Sequence, residues 1–438
     1  MPTDSARLTT RVRPCSHPGQ DLMIFAYGLA AVFVKHRIFM TGGDLTHTQA
    51  IELLDEAARE LAEIRRGKHY ALWRDDKCRP LGDALRQVSP FDAYSDSWIF
   101  TGDGGGTIAH GRFGDWAIDR LVEKLEPAAI LAAFGEEIAG NVGHYSELSA
   151  ILGVQLDTTV HLGDGVTLDA EPEDTFEGLI HRIPFQMLPV PSGTSVLRHR
   201  YRVEPAFELR TAAPTGKSVT TPASPARDQV RQRVRLACLL ASIGPVELPF
   251  SLLQPDRASL FVAGDGNQAG RPFAAMPLVA FPVEGAAVKR AYGYLATFRG
   301  GASMARAIDR LGRSRLAINP VDRALDLGMA AEIALMHDHS HNNTEIAHKI
   351  GSRSAWLLGQ TPTDRATIFT EMKSLYGARS QAVHSGFLSS RSTIDLDAAD
   401  ALVTRIFNAI LARGAFPDWS SLVMGGDALQ PVEDEDGA

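Results

Sequence analysis

The chain has few cysteines, and their placement excludes the kinds of site that cysteines build. Cys15, Cys78 and Cys238 are the three cysteines among 438 residues, and they lie far apart. A small, odd and widely spaced set matches neither a zinc-ligand spacing nor a disulfide framework. Because disulfides persist mainly in oxidising compartments, we expect a protein of the reducing cytoplasm.

The sequence also lacks an excess of positive charge. It has 44 Lys and Arg against 52 Asp and Glu, a formal net charge of −8. Extended nucleic-acid surfaces need clustered Lys and Arg to neutralise phosphates, so a site for nucleic acid here must rest on a local cluster. The run at residues 198–202 alternates basic residues with Tyr201, but an ordinary solvated strand face explains it better than contact with RNA.

A long hydrophobic run is absent outside the N-terminal segment. Residues 22–34 are apolar, but they are fewer than the roughly 20 that a membrane-spanning helix needs. The small-residue cleavage site of a signal peptide does not follow them. We therefore expect a buried helix or strand there and no membrane contact, with residues 1–40 forming an apolar or poorly ordered N-terminal segment.

Motifs of several common enzyme classes are missing as well. The glycine-rich residues 101–107 lack the Gly-Lys-Ser/Thr ending of a phosphate loop, and no Gly-x-Ser-x-Gly nucleophile elbow occurs. The stretch His337-Asp338-His339-Ser340-His341 alternates histidines. No distant fourth ligand accompanies it, which favours an ordinary loop over a zinc or nickel site. We therefore expect neither a metal nor a cofactor.

The periodicity of apolar residues predicts an α+β protein, with a mixed N-terminal region and a helical C-terminal bundle. Asp164-Gly165 predicts a hairpin turn. Residues 211–227 are rich in Pro, Thr and Ser, which predicts a linker between domains. After segment 1–40, the expected parts are a sensor-like α+β domain at 41–210, the linker at 211–227, a connecting segment at 228–287, a helical domain at 288–415 and a tail at 416–438.

The most informative motif pairs an arginine with a histidine at the predicted end of a helix. Arg379 and His384 are five positions apart, and Gly386, a residue type that suits a helix C-terminus, follows them. Arginine offers phosphate a planar fork of donors, and histidine gives or takes a proton near neutral pH. Together they suit cleavage of an RNA phosphodiester, which needs no metal when the ribose 2′-hydroxyl is the nucleophile.

The residues around this motif resemble the HEPN domain family, in the Apea-like form known from abortive infection. The resemblance covers the last third of the chain. In that family the signature arginine and histidine stand near a helix end, often after Leu-Tyr, here Leu375-Tyr376. Other similar features are the arginine-rich stretch at 310–315, the acidic helix predicted at 322–335 and the helix predicted at 344–358.

This resemblance implies a metal-independent endoribonuclease of a bacterial antiphage or stress-defence system. The substrate would be RNA, with tRNA as one candidate, and the trigger a phage-derived factor. Arg379 would bind the scissile phosphate, and His384 would transfer protons. Two positions depart from the family pattern: Ser380 stands where many active members carry Asn, Asp or His, and Gly386 comes one place later than usual.

Helix geometry argues for a second copy of the chain. Five residues turn a helix through about 500°, so the side chains of Arg379 and His384 point about 140° apart unless the helix ends or unwinds at His384. In the resembled family two copies pack about a two-fold axis, and both motifs face one cleft. We therefore expect a homodimer through the C-terminal helical domain. Ser380 lies four positions before His384 and is placed to hydrogen-bond with it.

Acidic residues on the second predicted helix of the bundle are expected to support the motif. Asp326 and Glu332 are six positions apart, so they lie on different sides of a helix and do not form an acid/base pair on one face. We expect each either to form an ion pair that fixes an arginine fork or to form a plain salt bridge within the domain. The candidate partners are Arg379, Arg353 and Arg315.

A structural role for the motif stays open beside the catalytic one. A histidine at a helix end can interact with the helix dipole, and a nearby arginine can form an ordinary ion pair. The bundle would then serve dimerisation, or the sensing of a nucleotide or RNA, without catalysis. Ser380 and the acidic net charge favour this alternative.

Overall fold

A computed structural model describes residues 47–64, 70–101, 105–170, 193–209, 224–256, 259–262, 266–269, 279–338, 345–388 and 394–426. The predicted N-terminal segment, the apolar run within it and most of the predicted linker lie outside these residues. Within these ranges, no helix has both the length and the apolar character that crossing a bilayer requires. The α+β class is confirmed, with the strands before residue 284 and a helical C-terminal part after them.

Helices surround an aromatic core at the N-terminal end of the described chain. They are α1 (His47–Ile64), α2 (Tyr70–Leu85), α3 (Arg112–Val122) and α4 (Pro127–Gly140). Phe113, Trp116 and Phe134 are fully buried between them. Pro127 begins α4 at a position where the missing N–H has no helical partner to lose, and Asn141 ends the helix in the left-handed conformation.

An antiparallel sheet follows. Its strands are β3 (Gly143–Ile151), β5 (Val160–Gly163), β6 (Val166–Asp169), β7 (Ser195–Val203), β9 (Phe250–Pro255) and β10 (Gly266–Ala269), in the order β10-β9-β3-β7-β6-β5. Asp164 and Gly165 turn the β5–β6 hairpin as predicted, with φ of 49° and 74°. Shorter pairings join β1 (Trp98–Phe100) to β2 (Gly105–Thr107) and β8 (Phe207–Glu208), and β4 (Val154–Leu156) to β11 (Phe281–Val283).

The basic run at residues 198–202 lies on β7, where its residues alternate between the two faces of the sheet. His199 and Tyr201 are buried on one face. Arg200 and Arg202 are exposed on the other, where Arg198 Nε lies 3.0 Å from Asp169 Oδ2. The run is therefore a strand with one solvated face.

Helix α5 (Ser224–Ala241) overlaps the end of the predicted linker and joins the sheet to the bundle. Arg227, the last predicted linker residue, is buried and donates to the Tyr201 hydroxyl. Arg231 Nη1 lies 2.9 Å from Glu147 Oε1 on β3. The linker boundary is therefore corrected: its proline-rich composition ends at Pro225, and the next residues form a packed helix.

The C-terminal helices pack in one core with α5 and with one end of the sheet. They are α6 (Gly285–Thr297), α7 (Gly301–Leu316), α8 (Pro320–Leu335), α9 (Ile346–Leu358), α10 (Pro362–Ser385), α11 (Leu396–Ala412) and α12 (Trp419–Val423). Arg235 on α5 lies 2.5 Å from Asp309 on α7. The described residues between 228 and 287 therefore pack into the body of the molecule rather than forming a connecting segment.

The bundle extends beyond its predicted end at residue 415. Trp419 is only 2% exposed and belongs to the bundle core. Its indole Nε1 donates to His337 Nδ1 over 3.2 Å, and Phe416 stacks on the same imidazole with ring centroids 3.8 Å apart. The acidic end of the chain, which led to the prediction of a tail, lies outside the described residues.

Candidate functional site

Both motif residues lie on α10, which is continuous from Pro362 to Ser385. The helix starts with a capping box at Thr361 and Asp364, and it ends at Gly386, whose φ of 70° suits a residue without Cβ. The backbone does not unwind between Arg379 and His384. Their side chains therefore diverge as helix geometry predicts, and nothing in the described chain bonds one to the other.

Arg379 lies against α8. Its Nη2 is 3.1 Å from Glu332 Oε2, and its guanidinium carbon is 5.6 Å from the centre of the Tyr376 ring. The stem of Arg379 crosses Gly328, where a methyl group would overlap with the arginine Cβ and Cγ. The Arg379 side chain is 23% exposed, so it is only partly covered by its neighbours.

The hydrogen-bonding capacity of this pair is not exhausted. Arg379 Nε and Glu332 Oε2 are buried and form no hydrogen bond within the described chain, although the two side chains are an ion pair. Burial and the nearby Glu332 carboxylate raise the pKa of Tyr376. The phenol is therefore neutral at physiological pH and is suited to donate a hydrogen bond rather than to accept a proton.

The two acidic residues expected to support the motif contact different arginines, as their spacing on a helix predicts. Glu332 faces α10 and pairs with Arg379, one of its expected partners. Asp326 pairs instead with Arg310 on α7, with Oδ1 2.8 Å from Nη1. Six residues rotate a helix through about 600°, so the two carboxylates point about 120° apart and meet different neighbours.

The other two arginines considered as partners are structural. Arg315 forms a bidentate pair with Asp400 and donates through Nη1 to the carbonyl oxygens of Leu239 and Ser242, near the end of α5. Arg353 pairs with Asp338 at 2.7 Å. Both side chains are nearly buried and have carboxylate partners, so they do not belong to the candidate site.

His384 is exposed on the last turn of α10. In the described chain it has no hydrogen bond to Ser380, which lies one turn earlier, so that expected contact is not formed. Val383 and Phe387 beside it are 50% and 61% exposed. The histidine is therefore accessible to a substrate or to a second copy, and apolar side chains flank it.

The histidine-rich stretch contributes a structural residue. His337 is held between Phe416 and Trp419, and burial lowers its pKa. His339 and His341 lie outside the described residues. Within the ranges that the structure covers, no group of three or more His, Cys, Asp or Glu side chains is arranged to hold a metal ion.

Gly328 is the site residue that sequence reasoning missed. It lies inside a helix, where glycine lacks the intrinsic stability of alanine, and such a position commonly marks a close approach of another element. Here that approach is the stem of Arg379. The sequence shows a glycine inside the predicted acidic helix, but it does not show which helix packs against that glycine.

Comparison with models of known protein families, with curated proteins and with solved structures finds no match for this chain. The resemblance to HEPN domains therefore rests on the motif and on the order of the predicted helices.

Proposed function

We propose that the protein is a metal-independent endoribonuclease of a bacterial antiphage or stress-defence system, active in the cytoplasm as a homodimer. The observation that carries the proposal is the geometry of α10. Arg379 is paired with Glu332 and its side chain is partly exposed, and His384 stands exposed at the end of the same helix. The defence role and a phage-derived trigger rest on the resemblance to Apea-like HEPN domains.

In the proposed reaction, the 2′-oxygen of a ribose attacks the neighbouring phosphorus. His384 of one copy takes the proton from the 2′-hydroxyl, and His384 of the other copy gives a proton to the leaving 5′-oxygen. Arg379 binds the non-bridging oxygens and stabilises the charge that develops on them. The bond to the 5′-oxygen breaks, which leaves a 2′,3′-cyclic phosphate and a 5′-hydroxyl.

The two-copy arrangement follows from the divergence of the side chains on α10. One helix does not aim Arg379 and His384 at the same phosphate, so the second copy supplies the complementary group. The exposed Val383 and Phe387 next to His384 support self-association at this end of the helix, because burying apolar surface favours assembly.

The alternative is a non-catalytic module for dimerisation or for sensing a nucleotide or RNA. The ion pair between Arg379 and Glu332 favours it, since a phosphate must compete with a carboxylate already bound to the arginine. Ser380 at the position after Arg379 points in the same direction.

One experiment separates the two functions. Purified protein is incubated with RNA in excess EDTA, and the products are tested for 2′,3′-cyclic phosphate ends. We expect cleavage by the wild type and none by His384→Ala. Because His384 is exposed, its truncation should change the free energy of unfolding by no more than about 0.5 kcal/mol. RNA that stays intact with the wild type, or is cut equally by His384→Ala, contradicts the catalytic proposal.

A further inference from the structure

Helix α7 carries a row of arginines on its solvent side. Arg306, Arg310 and Arg313 are spaced at i, i+4 and i+7, which places them within about 60° of one another around the helix. Arg306 and Arg313 are exposed, whereas the opposite side of α7 contributes Met304, Ile308 and Leu311 to the core. We call Arg306, Arg310 and Arg313 the α7 arginine row.

Most of the charge of this row is not neutralised. Within the described chain, neither Arg306 nor Arg313 forms an ion pair, and Arg306 Nη2 donates to Ser303 Oγ on its own helix over 2.9 Å. Arg310 pairs with Asp326. The nearest carboxylate on α7, that of Asp309, is bound to Arg235 on the side that faces α5.

The α7 arginine row lies on the other side of α8 from the motif. Asp326 holds Arg310 of the row, and Glu332 holds Arg379 of the motif. Six residues of helix separate these two carboxylates by about 9 Å along the axis of α8. The row and the motif are therefore neighbours across a single helix, although more than sixty residues separate them in sequence.

We infer that the α7 arginine row is a docking surface for the phosphate backbone of single-stranded RNA, which it directs across α8 towards Arg379. Guanidinium forks bind phosphate oxygens in pairs, so a row of them suits a polyanion. Arg306 to Arg313 spans about 10 Å along the helix. That length matches about three nucleotides of a stacked strand at about 3.4 Å each. The inference rests on the proposed function, because it identifies where the substrate of that site binds.

The test measures binding separately from cleavage. A short fluorescein-labelled single-stranded RNA is titrated with His384→Ala protein in EDTA, and anisotropy is followed at increasing salt. Adding Arg306→Gln and Arg313→Gln together should weaken binding several-fold. It should also reduce the slope of log K against log salt by about 1.4, because each phosphate contact to a single strand contributes about 0.7.

A matched pair on β7 controls for total charge. Arg200→Gln with Arg202→Gln removes the same two charges from an exposed strand face and should leave the affinity and the slope unchanged. The docking surface is overturned if both double variants lose the same affinity for RNA, or if the Arg306→Gln, Arg313→Gln variant loses none. Thermal unfolding of both double variants should match that of the parent, since all four side chains are exposed.

Cleavage assays with His384 intact separate this inference from the proposed function. If the double variant Arg306→Gln, Arg313→Gln binds and cleaves RNA like the wild type, the docking surface is wrong and the endoribonuclease stands. If the wild type cleaves no RNA but binds it through Arg306 and Arg313, the endoribonuclease is wrong and the docking surface stands. If the full chain binds no single-stranded RNA, the docking surface is overturned.

Discussion

The guanidinium of Arg379 lies 3.1 Å from the carboxylate of Glu332, across the contact between α10 and α8. This ion pair joins the motif to α8, two helices earlier in the chain, so the direction of the arginine fork depends on a residue 47 positions away in sequence. Both side chains are partly exposed, so the pair should contribute less than about 1 kcal/mol to stability. The pair therefore restricts the direction of the guanidinium more than it stabilises the fold.

Glu332→Gln should lower the kcat of RNA cleavage and change the KM much less, because the amide keeps the volume but no longer holds the guanidinium by charge. The matched control is Asp326→Asn on the same helix, which removes the same charge from the partner of Arg310. We expect its kcat to stay near that of the wild type. Steady-state cleavage of a labelled RNA measures both, and an unchanged kcat in Glu332→Gln removes Glu332 from the site.

Gly328→Ala should destabilise the fold by about 1–3 kcal/mol, because the added methyl group overlaps with the stem of Arg379 and forces the arginine or a helix to move. RNA cleavage should fall with it. Gly377→Ala on α10 is the control, since a Cβ there meets no atom within 4 Å. That variant should be neutral or more stable by up to about 1 kcal/mol. Chemical denaturation gives both values, and equal stabilities argue against the close packing at Gly328.

Phe387→Ser should weaken self-association and reduce cleavage at low protein concentration, because it removes an exposed aromatic group beside His384. The control Leu72→Ser changes an apolar residue that is 66% exposed on α2, far from the motif in sequence, and should leave the oligomer intact. Light scattering across a dilution series measures the mass of each variant. A wild type that is monomeric and cleaves in proportion to its concentration contradicts the dimer.

His199 should make the fold sensitive to acid. Burial lowers the pKa of this imidazole, although Asp164 opposes the shift, so the folded state binds a proton less readily than the unfolded state. Stability from this group is complete above the unfolded pKa of about 6.5 and is lost as the pH falls below it. The slope approaches about 1.4 kcal/mol per pH unit for one proton.

Denaturation between pH 7.5 and 5 tests this, with His199→Gln as the comparison. The wild type should lose more of its free energy of unfolding than the variant does over that range. Parallel pH profiles for the two proteins would show that the protonation of His199 does not contribute.

The sequence predicts those features that depend on local chemistry. Gly386 marks the end of α10, and Asp164-Gly165 marks a hairpin, because each position favours a left-handed backbone. The divergence of Asp326 and Glu332 also follows from helix geometry. Helix geometry alone does not predict which arginine each carboxylate contacts, because that depends on how α7, α8 and α10 pack.

The ends of the predicted linker and of the helical domain were harder to predict, because they also depend on tertiary packing. Residues 224–227 share the polar, proline-containing composition of the stretch before them, yet Arg227 is buried because the sheet offers it the ring and hydroxyl of Tyr201. Phe416 and Trp419 follow the predicted end of the helical domain at residue 415, and only the folded position of His337 shows what they pack against.

The contacts of α5 limit how this protein can be divided into fragments that fold independently. Arg231 holds the helix to β3 through Glu147, and Arg235 holds it to α7 through Asp309, less than two turns further along. Both ion pairs are on the same helix, so α5 connects the sheet directly to the helix that bears the α7 arginine row. The C-terminal helices are therefore poor candidates for transplantation into a chimaera: a donor fragment that starts after α5 would carry the motif but leave an apolar flank of the bundle uncovered.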